Sequence, residues 1–275
     1  MGSARAELLK LRKRPATWVL LGVWLALTLA FGYLIPYLIF RSDPADPLAR
    51  RVLAEVLPSR VSANAIAGLP LFGGAIALIF GVLLTGSEYG WDTVKTLLVQ
   101  GPNRVQVYAS KLGVLVGAVG VLVGLTYALS AAASATIAAL ESQPADWAPA
   151  WELIRSLGAG WLILSAWATL GLCLGVVSRG TSLAIGLGLV WLLVVENLIR
   201  GLSTLSDAFD AVQRALPGVN AGSLAAAVGA TQGGEAGAPG VDAVTSGGRA
   251  ALVLGAYVVA AAALALVVLR RRDVT

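Results

Sequence analysis

Residues 87–104 read Ser-Glu-Tyr-Gly-Trp-Asp-Thr-Val-Lys-Thr-Leu-Leu-Val-Gln-Gly-Pro-Asn-Arg, and they stand between two long apolar runs. The run before, 64–85, and the run after, 112–140, hold no charged residue. Each can cross the hydrocarbon core of a bilayer, which takes about 20 apolar residues. The charged stretch is therefore a connection at a membrane surface. It also has helical periodicity. Trp91, Val94, Leu97 and Leu98 share one face, while Glu88, Asp92, Lys95 and Thr96 lie on the others. Ser87 can cap the start and Gly101-Pro102 stops the helix, which gives 87–100 as its extent. A short two-faced helix with an exposed Trp suits a groove on a soluble partner. The competing reading is a helix lying on lipid, but such helices carry a basic polar face, and here two acids accompany the lysine.

Working outward, four further runs at 18–40, 157–177, 181–199 and 250–269 can also cross. The chain is 57% hydrophobic and 13% charged, where soluble domains carry about 25% charge. The expectation is an all-α membrane protein with six transmembrane helices in one domain over 1–275. Only Ser178, Arg179 and Gly180 separate the fourth run from the fifth, a tight hairpin. The first run is too long for the apolar core of a signal peptide, and no small-residue cleavage site follows it.

Charge sets an orientation. With the N-terminus in the cytoplasm, twelve Lys and Arg fall inside and eight outside, and most inside charges lie close to helix ends. Both termini are then cytoplasmic. The basic composition reads as membrane orientation, since nucleic-acid binding would need a basic soluble face with interleaved aromatics.

Residues 1–15 precede the first crossing. Ala4, Leu8 and Leu11 share a helical face, Arg5, Arg12 and Lys13 occupy others, and Pro15 ends the pattern. This suggests an interfacial helix over 4–14 on the cytoplasmic surface, or a plain basic anchor. The loop 41–63 has Leu48, Val52, Val56 and Leu57 at helical spacing. The external segment 200–248 opens on an amphipathic pattern over 202–216 that ends at Pro217-Gly218, with a second helical piece at 221–228. In the third crossing Gly113, Gly117, Gly120 and Gly124 share one face, and in the fourth Gly171 and Gly175 do. Such faces let helices approach closely, within the chain or across a dimer.

Catalysis is excluded by what is missing. The chain has no histidine, which removes Ser-His hydrolysis and His-based metal sites, and its one cysteine, Cys173, lies mid-membrane. No phosphate-binding loop occurs. Glu88 and Asp92 sit on an open surface with Lys95 nearby, which is no catalytic dyad. No catalytic, cofactor-binding or metal-binding residue is expected. Lys111 and Glu196 are the ionisable residues at the span ends, and ion-coupled transport usually needs charges deeper in the membrane.

The pattern of Glu88, Gly90, Thr93, Lys95, two leucines, Pro102, Arg104 and Lys111 resembles the cytoplasmic loop of ABC-2 type permeases, the membrane subunits of ABC transporters of the sodium-extrusion and bacitracin-immunity sort. Where that family has a Gly-Thr pair, this chain has Gly90-Trp91-Asp92-Thr93. The basic N-terminal helix, six spans and long segment before the last span agree with it. The resemblance implies a type V exporter-like permease that works as a homodimer or with a similar subunit. It would pair with two copies of a separate ABC ATPase, which carries ATP and magnesium. It implies that 87–100 is the coupling helix, with Glu88, Trp91, Asp92, Lys95, Leu98 and Arg104 at the ATPase contact and Leu8, Leu11, Arg12 and Lys13 on the interfacial helix beside it. The alternatives are a membrane scaffold that docks a cytoplasmic protein, or an ATP-independent channel or carrier.

Overall fold

The computed structural model describes residues 2–90, 104–203, 206–231 and 237–271. Six helices in it are long and apolar enough to cross a membrane: Pro15–Ser42, Pro58–Gly86, Val105–Leu140, Ala150–Ser178, Thr181–Leu202 and Gly247–Arg271. No strand occurs among the described residues. The protein is an all-α, multi-pass membrane protein.

Several spans begin outside their apolar runs, for identifiable reasons. Pro15 opens the first span instead of closing the helix before it, which ends at Lys13. Proline lacks an N–H and has a fixed φ, so it fits the first helical turn. The third span starts seven residues ahead of Leu112. Its polar first turns are still helical because Val107, Tyr108 and Lys111 are all buried there. The helix of the second span runs on through Ser87 to Gly90. Ser87 is therefore an interior position and does not cap a new helix, since extending an existing helix costs far less than nucleating another.

The fourth span is the hub. Of its most apolar stretch 72% is buried, against 11% for the first span. It packs most extensively on the second span. Glycines make this contact possible: a Cβ on Gly81 would collide with the Ala168 carbonyl, and one on Gly171 with the Leu78 carbonyl. The two backbones touch directly, the arrangement that substitutes in lipid for a hydrophobic driving force. Gly175 lies equally close to Thr85, whose hydroxyl donates to the Leu172 carbonyl at 3.2 Å. Arg179 in the left-handed region, φ 54°, turns the chain from the fourth span into the fifth.

Three spans contain π-helical turns, at Ala30–Leu34, Leu69–Gly73 and Trp191–Val195. In the second span Pro70 removes a donor within this turn, and Gly73 N–H bonds back to the Gly68 carbonyl at 3.0 Å. Outside the spans, Asp46 caps the helix Pro47–Glu55 through Leu48 N–H. That helix buries Ala49 and Leu53 against Tyr33 and Phe40 of the first span.

After the fifth span the pattern over 202–216 resolves differently from expectation. Span five takes up Leu202, and Ser206 caps a shorter helix, Asp207–Gln213. Pro217-Gly218 starts the next helix, Pro217–Ala227, with Pro217 in its first turn, where the sequence reading had it only as a stop. Residues 217–225 of this helix are all buried.

Candidate functional site

The candidate site surrounds the connection between the second and third spans, at the end of the bundle that carries the N-terminal helix Gly2–Lys13. Trp91, Asp92, Lys95 and Leu98, and with them most of the expected helix 87–100, lie outside the described residues. Glu88 falls on the last turn of the second-span helix, and Arg104 opens the third. The structure therefore places the two legs of the connection and what holds them.

The N-terminal helix and Arg14, which joins it to the first span, hold both. Glu7, 2% exposed, accepts from Lys111 Nζ at 3.0 Å and from Lys10 Nζ at 2.8 Å. Lys111 is 5% exposed and stands about two turns into the third span. Burial alone would raise the Glu7 pKa, but the Lys111 and Lys10 ammonium groups outweigh it and hold the carboxyl below its ordinary value. On the other leg, Arg14 Nη1 donates to the Leu83 carbonyl at 2.9 Å, about two turns before Gly90. Trp18 Nε1 takes the Arg12 carbonyl at 2.9 Å, so a side chain of the first span satisfies an end carbonyl of the helix before it. The N-terminal helix, the first span and both legs of the connection thus form one braced unit.

Leu8 and Leu11, which share a face in the sequence, have different surroundings. Leu11 is buried in the main core, in register with Glu7 one turn earlier, while Leu8 is 61% exposed. Leu8, Leu9, Arg12 and Lys13 form the open side. Lys10, Arg12 and Lys13 in the last turn also complement the helix dipole.

Of the glycines of the third span, Gly120 meets the fourth span, while the other three have open space among the described residues. A Cβ on Gly113, Gly117 or Gly124 would meet nothing within 4 Å, and Gly120 faces Trp161 Nε1 at 3.4 Å. Trp161 Nε1 donates instead to the Val116 carbonyl at 2.9 Å.

A polar seam between spans one to four was not anticipated. Trp24 Nε1 donates to Thr126 Oγ1 at 2.8 Å, Tyr127 pairs with Ser156, and Ser156 Oγ donates to the Ser62 carbonyl at 2.8 Å. Asn64 Nδ2 takes the Gly32 carbonyl, inside the first span's π turn, at 2.9 Å. Thr126, Ser130 and Ser134 recur every four residues in an apolar span, which was the available signal. Among the described residues no cluster of three or more metal-ligating side chains occurs.

A family model described as "ABC-2 family transporter protein" matches residues 4–195. That match includes the N-terminal helix, the braced connection and the first five spans as far as Val195. A search of curated proteins returned no match. The match covers well over half of the sequence, and the six spans agree with it: the chain belongs to the ABC-2 family of transporter proteins.

Proposed function

We propose that this chain is the membrane-spanning permease subunit of an ATP-binding cassette exporter in the cytoplasmic membrane, driven by ATP hydrolysis on separate ATPase subunits. The observation that carries the proposal is the bracing of the connection. Its two legs are tied to the N-terminal segment, one to its helix by Glu7–Lys111 and the other to the residue joining that helix to the first span by Arg14–Leu83. A loop that must pass a partner's movement into the membrane needs rigid legs, because a displacement reaches packed helices only through a stiff connection. The excess of Lys and Arg at this end supports a cytoplasmic position for it. Trp91, Leu98 and Lys95 then supply the contact with the ATPase, in a groove that accepts an amphipathic helix. The open side of the N-terminal helix, with Leu8 in the interface and Arg12 and Lys13 towards headgroups, rests on the bilayer. Gly113, Gly117 and Gly124, where a Cβ would meet nothing within 4 Å among the described residues, are available to a second permease subunit in a homodimer. ATP and magnesium are bound by the partner, and this chain has no catalytic role of its own.

The test is co-expression with a candidate ABC ATPase. A Trp91→Ala/Lys95→Ala double variant is expected to lower recovery of the complex at least tenfold while the permease itself still inserts and purifies. Unchanged assembly together with unchanged ATPase activity would refute the docking role.

A further inference from the structure

At the end of the bundle away from the N-terminal helix, a buried carboxylate meets the start of a buried helix. Glu196 belongs to the fifth span and is 2% exposed. Its Oε1 accepts from Gly218 N–H at 3.1 Å and from Trp191 Nε1 at 3.2 Å. Trp191 opens the π turn that ends immediately before Glu196, so the turn and the carboxylate are built together. Gly218 is the second residue of the eleven-residue helix Pro217–Ala227. A Cβ at 218 would collide with Glu196 Oε2, so the carboxylate occupies the space where any other side chain would begin. The partial positive charge of a helix N-terminus favours a carboxylate there. Glu196 is thus a cap supplied from a different segment 22 residues away.

The surroundings show what this carboxylate serves. The cavity beside it, walled by Pro70, Trp167, Arg200, Gly218 and Gly240, measures about 10 Å³, room for about one water. It cannot hold a solute. Among the described residues Trp167 Nε1 and Arg200 Nε are buried with no hydrogen-bond partner, and both residues line it, which suits one bridging water. Other polar bonds of the helix stay within its own excursion: Asn220 Nδ2 takes the Leu216 carbonyl and Ser223 Oγ the Asp242 carbonyl. Asp242 is itself paired with Arg200 of the fifth span at 3.7 Å, a long contact on a half-exposed carboxylate, whereas Glu196 ties the helix backbone itself to that span from a buried position.

We infer that Glu196 is a positioning residue, the latch by which the fifth span holds the helix Pro217–Ala227 seated among the spans, and that opening this end during transport requires Gly218 N–H to leave it. The inference uses nothing of the ATPase contact and stands or falls separately from it.

The test is thiol accessibility in detergent-purified protein. Ala225, 0% exposed, is changed to Cys in a Cys173→Ser background and reacted with a polar maleimide. Glu196→Leu, which keeps bulk and loses the acceptor, is expected to raise the labelling rate at least tenfold. Gly218→Ala, which displaces the carboxylate from the other side, is expected to do the same. Glu196→Gln retains a carbonyl for Gly218 N–H and is expected to stay within threefold of the parent. In a separate Glu196→Leu chain that keeps Cys173 and lacks the introduced cysteine, Cys173, buried in the fourth span, reports general loosening and is expected to stay unreactive. No rise at position 225 in either variant, an equal rise at Cys173, or a Gln variant as reactive as the Leu variant would overturn the assignment.

Discussion

Glu7 shows how much one side chain can organise. It is a carboxylate on a basic helix, and its value comes from a partner 104 residues away. Replacing one member of a buried ion pair leaves the other's charge uncompensated, at a cost of about 3 kcal/mol. Glu7→Gln is therefore expected to lower the thermal midpoint of the detergent-solubilised protein by several degrees. The double variant Glu7→Leu/Lys111→Met is expected to recover most of that loss, since apolar side chains of similar size often replace a buried pair at little cost. A double variant less stable than the sum of its singles would contradict the pairing. The pH dependence has a definite sign. The Glu7 pKa is held below its ordinary 4.5, so its contribution is complete above that value and disappears as pH falls through the lower, folded value. The difference in thermal midpoint between native and Glu7→Gln protein should be flat from pH 8 to 5 and shrink under stronger acid. A difference that changes between pH 8 and 6 would contradict it.

Among elements, the glycines separate two jobs that look identical in sequence. Gly171 and the third-span set all recur at steps of three or four, yet a Cβ on Gly171 would meet backbone, while one on Gly113, Gly117 or Gly124 would meet nothing within 4 Å among the described residues. Gly81→Ala or Gly171→Ala drives a methyl into a carbonyl in a contact with no flexible side chain to yield, and about 3 kcal/mol or more is the expected cost. Gly117→Ala should leave the monomer's thermal midpoint unchanged or raise it slightly, because alanine is the better helix former. If that face meets a second subunit, the same substitution should weaken dimerisation in light-scattering measurements. A destabilised monomer would show instead that the face packs within the chain. Spacing revealed that these positions lie on one face but not what lies opposite, because that depends on how the spans are arranged. The same limit explains what else was legible. The apolar runs announced the six crossings, since length and composition decide membrane insertion. The ends of the crossings were less legible, since Tyr108 and Lys111 are helical through contacts with distant segments. Pro217 read as a stop because proline punctuates both ends of helices, and only the buried acceptor on Glu196 made it a start.

At the scale of the whole molecule, a buried fourth span carries the core and a basic end carries the braced connection. The polar seam of Trp24, Asn64, Thr126 and Tyr127 ties the first four spans together through bonds whose partners could not be read from one helix's periodicity, because each partner lies on a different helix. A displacement of the connection would reach these spans through Lys111 and Arg14 as well as through the chain itself. The most direct check is site-specific photo-crosslinking in the assembled complex, with a photoreactive residue at Lys95 and, separately, at Val194, which is 56% exposed on the fifth span. The expected result is a strong adduct with the ATPase from position 95 and none from position 194. Equal adducts from both positions, or none from position 95 in a complex that still hydrolyses ATP, would contradict the assignment of this connection as the point where the ATPase drives the membrane subunit.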